Sequence, residues 1–248
     1  MDPDIVNLDN WTELAERKQG VKTLAKIPEG NNDAQIAYFK YPLNPNGGPI
    51  AANEYIAAKI GERINLPVPR VQFKEFSGQK GAIIYKVPGD TNVWRLYPYK
   101  SDIPRTLNGY ELLTKAIIFD VFVFNTDRNP DNLMYSRIGK KNFDFYLIDH
   151  AHTLYGPNAQ PANHSDYSFS TLIQIPELRE LFSQGFAAFQ SHVREVQEIE
   201  DTFFIDLVNS VPVDYLNDGQ KSSIKDLLFH RKKEMYNKIE EFCGAVHW

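Results

Sequence analysis

The chain has 248 residues, of which 42 % are hydrophobic and 24 % charged, and a formal net charge of −5. That length allows a sizeable core in one large domain or two small lobes, and the acidic balance argues against a broad basic nucleic-acid surface while leaving room for a local basic patch. The single cysteine, Cys243, excludes an intramolecular disulfide and a cysteine-based zinc cluster, so a reducing cytosol is the expected compartment.

The N-terminal stretch MDPDIVNLDNW lacks a basic start followed by an apolar run, so no secretory signal is expected. No apolar stretch approaches the length of a membrane span, and no solenoid repeat is present. Val21–Ile27 reads as a strand, PEGNND as a hairpin turn, and AQIAYFKY (Ala34–Tyr41) as the returning strand. PLNPNGGP is a loop. Ala51–Leu66 carries Ile56, Ile60 and Ile64 at helical spacing. Val68–Phe76 and Lys80–Val87 read as two further strands joined by SGQ, so residues 1–105 form a small antiparallel sheet with one helix.

Residues 106–248 read as mainly helical. Asn108–Phe124 is apolar on most faces, which predicts a helix buried on several sides. Leu133–Ser136 and Phe143–Ile148 are short strands joined by RIGKKN. An irregular segment runs to about Gln174, and helices are expected near 176–182, 184–209 and 218–243. The last has an apolar stripe at Leu227, Leu228, Met235 and Ile239, and its basic run His230–Lys233 reads as a solvated face.

The break between the buried helix and the next strand is NTDRNPDN. Alone it is a good turn, with Pro130 suited to a corner position. It also spaces Asp127 and Asn132 as D-x-x-x-x-N, the spacing of a kinase catalytic loop. Phosphoryl transfer from ATP needs an acid at the attacking hydroxyl, oxygen ligands for Mg²⁺ and a held cation on the phosphates. Asp149 follows the strand FDFYLIDH, Lys40 lies near the end of YFKY, and Glu54 lies in the first turn of the next helix. Each residue has a plainer reading: a surface lysine, a first-turn acid, a capping aspartate. Their order along the chain is the order of a kinase: strand lysine, helix glutamate, catalytic loop, metal aspartate.

NTDRNPDN followed by YLIDH resembles the NxDRxxxN…IDH pattern of the HipA-like kinases, distant relatives of the phosphatidylinositol 3- and 4-kinases. ANEYIAAKIGERINLPVPRV and the C-terminal VPVDYL…IKDLLFHRKKEMYNKIEEF extend the likeness over most of the chain. The resemblance implies an α+β, two-lobed protein-kinase-like fold, with an N-lobe over 1–105, a hinge near 85–90 and a C-lobe over 106–248. It implies ATP and Mg²⁺ as donor and cofactor, and a Ser or Thr hydroxyl of an unidentified protein as acceptor.

By position, Asp127 is the implied catalytic aspartate, Arg128 with Asp120 the brace of the loop, and Asn132 and Asp149 the Mg²⁺ ligands. Lys40 is implied to meet the ATP phosphates and Glu54 to hold Lys40. Gly20 and Lys22 fall in the implied phosphate-covering loop, and Tyr85 and Val87 in the hinge that meets adenine. A toxin-type kinase with an antitoxin or regulatory partner chain is a further implication; membrane association and direct nucleic-acid binding are not expected.

The chain departs from the pattern in two places. RKQGVKTLAKI has one glycine where protein kinases carry G-x-G-x-x-G, and Asn129 stands where the family often has histidine. Alternatives drawn from the residues are a nucleotide-binding pseudokinase acting as an interaction module, a kinase for a lipid or small-molecule hydroxyl, and a metal hydrolase using the H-x-H pair His150 and His152. GVKT lacks the spacing of a P-loop, and SSIK lies on an amphipathic helix without companion motifs.

Overall fold

The computed structural model describes residues 6–7, 11–17, 21–26, 35–42, 49–88, 106–139, 142–155 and 184–245. Among these residues there are two sheets, and the first has strands β1 (Val6–Asn7), β2 (Thr12–Arg17), β3 (Val21–Lys26), β4 (Gln35–Lys40), β5 (Val71–Phe76) and β6 (Gln79–Tyr85). Their order in space is β1-β5-β6-β4-β3-β2. Every pairing is antiparallel except β1 with β5, which is parallel. The sheet is therefore larger than the sequence suggests, because β1 and β2 were not expected. The turn expected at PEGNND lies outside the described residues.

Helix α1 (Ile50–Arg63) covers one face of this sheet. Its buried residues Ile56, Ala57, Ile60 and Ile64 share a core with Val71, Phe73, Ala82 and Ile84. The helix ends earlier than its apolar spacing implies. Asn65 takes a left-handed backbone, φ 56°, while Asn65 N–H bonds Glu62 O and Leu66 N–H bonds Gly61 O. That double bond pattern is a Schellman stop, and asparagine tolerates the backbone it needs. The other face of the sheet carries a second cluster: Leu24, Ala37, Phe39, Phe76 and Ile83, with Trp11, Tyr41 and Tyr85 against it.

Beyond the sheet come α2 (Leu112–Phe122), a 3-10 turn (Pro130–Asn132) and the hairpin of β7 (Leu133–Arg137) with β8 (Phe143–Leu147). Helices α3 (Ala187–Gln197), α4 (Asp201–Asn209) and α5 (Asp218–Ala245) follow. Every residue of α2 from Leu113 to Phe122 is buried, as its apolar composition predicts. The helix expected near 176–182 lies outside the described residues.

The single helix expected over 184–209 is two. Glu200 is extended, ψ 141°, and Lys232 from α5 donates to Ile199 O at 2.5 Å and to Asp201 Oδ1 at 2.6 Å across the break. The expectation of a solvated basic run on α5 is also corrected. Arg231 is fully buried, and Lys232 holds the α3–α4 break; Lys233 does face water.

One apolar core runs from α1, β5 and β6 through α2 and the β7–β8 hairpin to α3–α5. Polar ties reinforce it. Lys115 of α2 donates to Ile64 O at the end of α1 and to Glu195 of α3, both at 2.9 Å. Tyr215, between α4 and α5, stacks near Phe73 with ring centroids 4.3 Å apart and donates its hydroxyl to Gly81 O at 3.1 Å. Burial pushes its phenol up to about 12.

Gly81 is needed where it stands. A methyl group there meets the backbone oxygen of Lys40 and the ring of Phe39. Gly81→Ala therefore has to move β4, and the expected cost is about 1–3 kcal/mol, read as a lower urea midpoint. An unchanged midpoint would show that β4 yields freely beside Lys40.

Candidate active site

Three segments distant in sequence meet at one ammonium. Lys40, the last residue of β4, donates to Glu54 Oε1 of α1 at 2.5 Å and to Asp149 Oδ1 beyond β8 at 2.7 Å. Because α1 begins at Ile50, Glu54 sits in its second turn, not its first as the sequence suggested. The cluster is graded in exposure. The Glu54 side chain is 1 % exposed, Lys40 11 % and Asp149 41 %.

Burial works against the Lys40 charge, but Glu54 and then Asp149 outweigh it and hold the amine above its ordinary value. Burial also pushes the Glu54 carboxyl up. The Lys40 charge, helped by His150, overrides this and holds it well below the usual carboxylate range.

The other oxygen of Glu54 fixes the backbone that carries Asp149. Glu54 Oε2 accepts the His150 N–H at 3.1 Å, and the neighbouring Asn53 donates Nδ2 to Ala151 O at 2.8 Å. Asp149 has a left-handed backbone, φ 58°, which is uncommon outside glycine and is held here by its neighbours. The His150 ring is fully buried, edge-on to Phe119 at 5.6 Å.

The NTDRNPDN segment folds around a second buried pair. Arg128 Nε donates to Asp120 Oδ2 at 3.0 Å, and both side chains are fully buried. Its Nη1 donates to Asn132 O at 2.8 Å and Ile148 O at 2.7 Å, joining the start of β7 to the end of β8. Asn125 Nδ2 donates to Asp120 Oδ1 at 2.9 Å, and Asn125 Oδ1 accepts the Asp127 N–H at 3.1 Å. Asp127 itself is exposed. Among the described residues, no partner meets its carboxylate.

The β7–β8 hairpin pairs Leu133 with Leu147, and so sets Asn132 beside the residues that lead into Asp149; Ile148 N–H bonds Asn132 O at 3.0 Å. Asn132 Nδ2 donates to Asp127 O at 2.8 Å, which leaves its Oδ1 as the available acceptor. Asp149 gives Oδ1 to Lys40 and keeps Oδ2. An amide oxygen and a carboxylate oxygen on adjoining backbone are the donor types a hard cation such as Mg²⁺ takes.

The remaining residues singled out from the sequence are not part of this cluster. Lys22 pairs in register with Phe39, so it lies on the sheet face opposite Lys40. Its ammonium bonds Glu13 at 2.8 Å and sits 5.9 Å from the Phe76 ring. Gly20 lies outside the described residues, between the two strands of the β2–β3 hairpin.

Tyr85 turns its ring onto the same outer face, edge-on to Trp11 at 6.2 Å, and its hydroxyl bonds Gln72. The Tyr85 and Lys86 amides are given to Arg70 O and Ile36 O; among the described residues the Val87 amide has no acceptor. Nor do His150 and His152 form a metal centre there: no group of three His, Cys, Asp or Glu residues is placed to hold a metal ion among the described residues.

Sequence reading missed Asn53 and Arg231. Asn53 carries no signal beyond its position beside Glu54. Arg231 carries one, since it stands four residues after Leu227 and four before Met235, on the apolar stripe of α5.

No family model and no curated protein sequence matches the chain. Solved structures do. The chain resembles CtkA, a proinflammatory kinase of Helicobacter pylori, with a TM-score of 0.62 and 12 % identity, over 90 % of this chain and 91 % of that one. It also resembles HipA of the Shewanella oneidensis MR-1 toxin–antitoxin system, in complex with HipB and operator DNA. There the TM-score is 0.52 and the identity 12 %, over 100 % of this chain and 71 % of HipA. The chain thus has the fold of the HipA-like kinases, in line with the resemblance carried by NTDRNPDN and IDH. The expectation of no direct nucleic-acid binding gains no support from the HipA neighbour, whose complex includes DNA. No helix among the described residues is long and apolar enough to cross a membrane.

Proposed function

We propose that this chain is an ATP- and Mg²⁺-dependent kinase that transfers the γ-phosphoryl group to a Ser or Thr hydroxyl of a protein. The observation that carries this reading is the meeting of Lys40, Glu54 and Asp149 at one ammonium, from three separate segments. In this reading residues 1–105 are the N-lobe and 106–248 the C-lobe. ATP lies between them, its phosphates under the β2–β3 hairpin and its adenine at the Val87 amide.

An ammonium has three donors, and Lys40 has committed two. Among the described residues the third has no acceptor, which leaves it for a phosphate oxygen, with Glu54 holding the amine charged and in place. Asp127 accepts a hydrogen bond from the acceptor hydroxyl and takes its proton as the oxygen bonds to the γ-phosphorus, while the bond from that phosphorus to the bridging β-phosphate oxygen breaks and ADP leaves with its electron pair. Arg128 and Asp120 keep that carboxylate in place through Asn125. Asn132 and Asp149 would hold Mg²⁺, which when bound supplies charge neutralisation on the phosphates. An antitoxin-like or other regulatory partner chain belongs to the same reading, by analogy with the HipA neighbour.

Incubation with Mg·ATP and lysate proteins, with phosphate located by mass spectrometry, tests it. Wild-type protein is expected to transfer phosphate to Ser or Thr. Asp127→Ala is expected to transfer about 10²–10⁴-fold less while still binding Mg·ATP. Wild-type protein that binds Mg·ATP and transfers nothing would be a binding module instead. Failure to bind nucleotide sinks the reading altogether, and zinc-dependent hydrolysis that needs His150 and His152 would replace it.

A further inference from the structure

The loop that carries Asp127 leaves α2 through a strained residue. Phe124 has a left-handed backbone, φ 55°. Its N–H reaches Val121 O at 3.4 Å, and the Asn125 N–H bonds Asp120 O at 2.8 Å. This is the bond pattern of a Schellman stop, with phenylalanine in the position that glycine usually takes. A bulky residue stays in that conformation only where its surroundings hold it. The turn sets the direction in which Asn125 departs, and Asn125 binds both Asp120 and the Asp127 amide.

Arg231 holds that turn from a helix over 100 residues away in sequence. Its guanidinium, fully buried, donates Nη1 to Val121 O at 2.5 Å and lies 4.7 Å from the Phe124 ring centroid. Helix α2 has no basic residue of its own in its last turn. Arg231 therefore supplies the cation that the carbonyl end of a helix favours, and places the same group over the ring of the residue with the strained backbone.

We infer that Arg231 is a positioning residue for the Asp127 loop. It fixes the left-handed turn at Phe124 and, through Asn125, the place of the Asp127 carboxylate. The inference rests on the kinase reading above for its effect on rate, but not for its effect on the loop. Its described contacts are Val121 O and the Phe124 ring, so it acts through the turn.

The test uses Arg231→Met and Arg231→Lys in the full chain, with two readouts. One is phosphate transfer at varied ATP. The other is amide hydrogen exchange, resolved over residues 123–129 and compared with the middle of α2 and of α5. Misplacing a reacting group by about 1 Å costs about a hundredfold. So kcat is expected to fall about 10–100-fold in Arg231→Met, with the KM for ATP changed by less than about threefold. Exchange is expected to speed up about tenfold or more at Asn125–Arg128 alone.

Arg231→Lys keeps a cation for Val121 O, so it serves if the methionine variant does not fold. Lacking the flat guanidinium, it is expected to show the same pattern in weaker form. Unchanged exchange at Asn125–Arg128 in a folded variant overturns the inference. So does acceleration spread evenly over α2 and α5, which marks general support of the core. If the wild-type protein transfers no phosphate, the kinase reading falls, and the exchange result alone decides whether Arg231 holds the loop.

Discussion

Lys40→Met is expected to lower phosphoryl transfer by about 10²–10³-fold, the loss typical of one preorganised electrostatic contact. It is also expected to change how stability depends on pH. In the wild-type protein Glu54 titrates below its ordinary 4.5. Its contribution is complete above pH 4.5 and is lost only as pH falls through the lowered value. Lys40 titrates above its ordinary 10.5; its contribution is complete below that and is lost only as pH rises through the raised value. Between about pH 5 and 10 the pair therefore adds no slope.

Removing the amine leaves Glu54 buried without its cation, and burial alone raises a carboxyl. The group then favours folding in its protonated form. Stability now falls as pH rises from 4.5 through the new folded value. Urea midpoints between pH 5 and 8 read this directly. The double variant Lys40→Met, Glu54→Gln should lose the new slope. A slope equal to wild type in Lys40→Met would mean that Glu54 finds another cation or reaches water.

Arg128→Met is expected to be the most destabilising single change near the site. It strands the Asp120 carboxylate, fully buried, with the Asn125 amide as its remaining partner among the described residues. Breaking one side of a buried ion pair costs about 3–5 kcal/mol. In a chain of this size that is about 6–20 °C in Tm, at about 2–4 °C per kcal/mol. The main-chain oxygens of Asn132 and Ile148 lose their donor as well.

Adding Asp120→Leu separates the two consequences. An apolar replacement of a whole buried pair is often close to neutral, so thermal stability should return to within about 1–2 kcal/mol of wild type. Phosphate transfer should not return, because the Arg128 bonds that join β7 to β8 remain missing. Recovery of both would make Arg128 a matter of stability alone.

The two clusters differ in how far the sequence reveals them. NTDRNPDN concentrates its chemistry in eight residues. Arg128 and Asp120 lie eight apart, and Asp127, Arg128 and Asn132 share one turn, so local order and residue type suffice to single them out. Lys40 meets Asp149 across 109 residues. Only the likeness of the chain order to that of kinases suggests their meeting; periodicity around YFKY does not settle which face Lys40 takes. Lys22 shows what that costs. It looks as suitable a phosphate contact as Lys40, and strand register puts it on the other face.

Alternation and helical spacing determined α1, β3–β8 and the buried α2, because each buries one continuous face and writes that face into its period. Strand β2, TELAER, was hidden because glutamate, leucine, alanine and arginine favour helix; pairing with β3 overrides that preference. The break between α3 and α4 was hidden because Lys232, which bridges it, comes from another helix. The sequence by itself determined the residue types of the candidate site and their order. The tertiary structure decided which face each strand lysine takes, where the helices stop, and that a buried arginine of α5 stands under the Asp127 loop. Those depend on partners far away along the chain, and no local period records them.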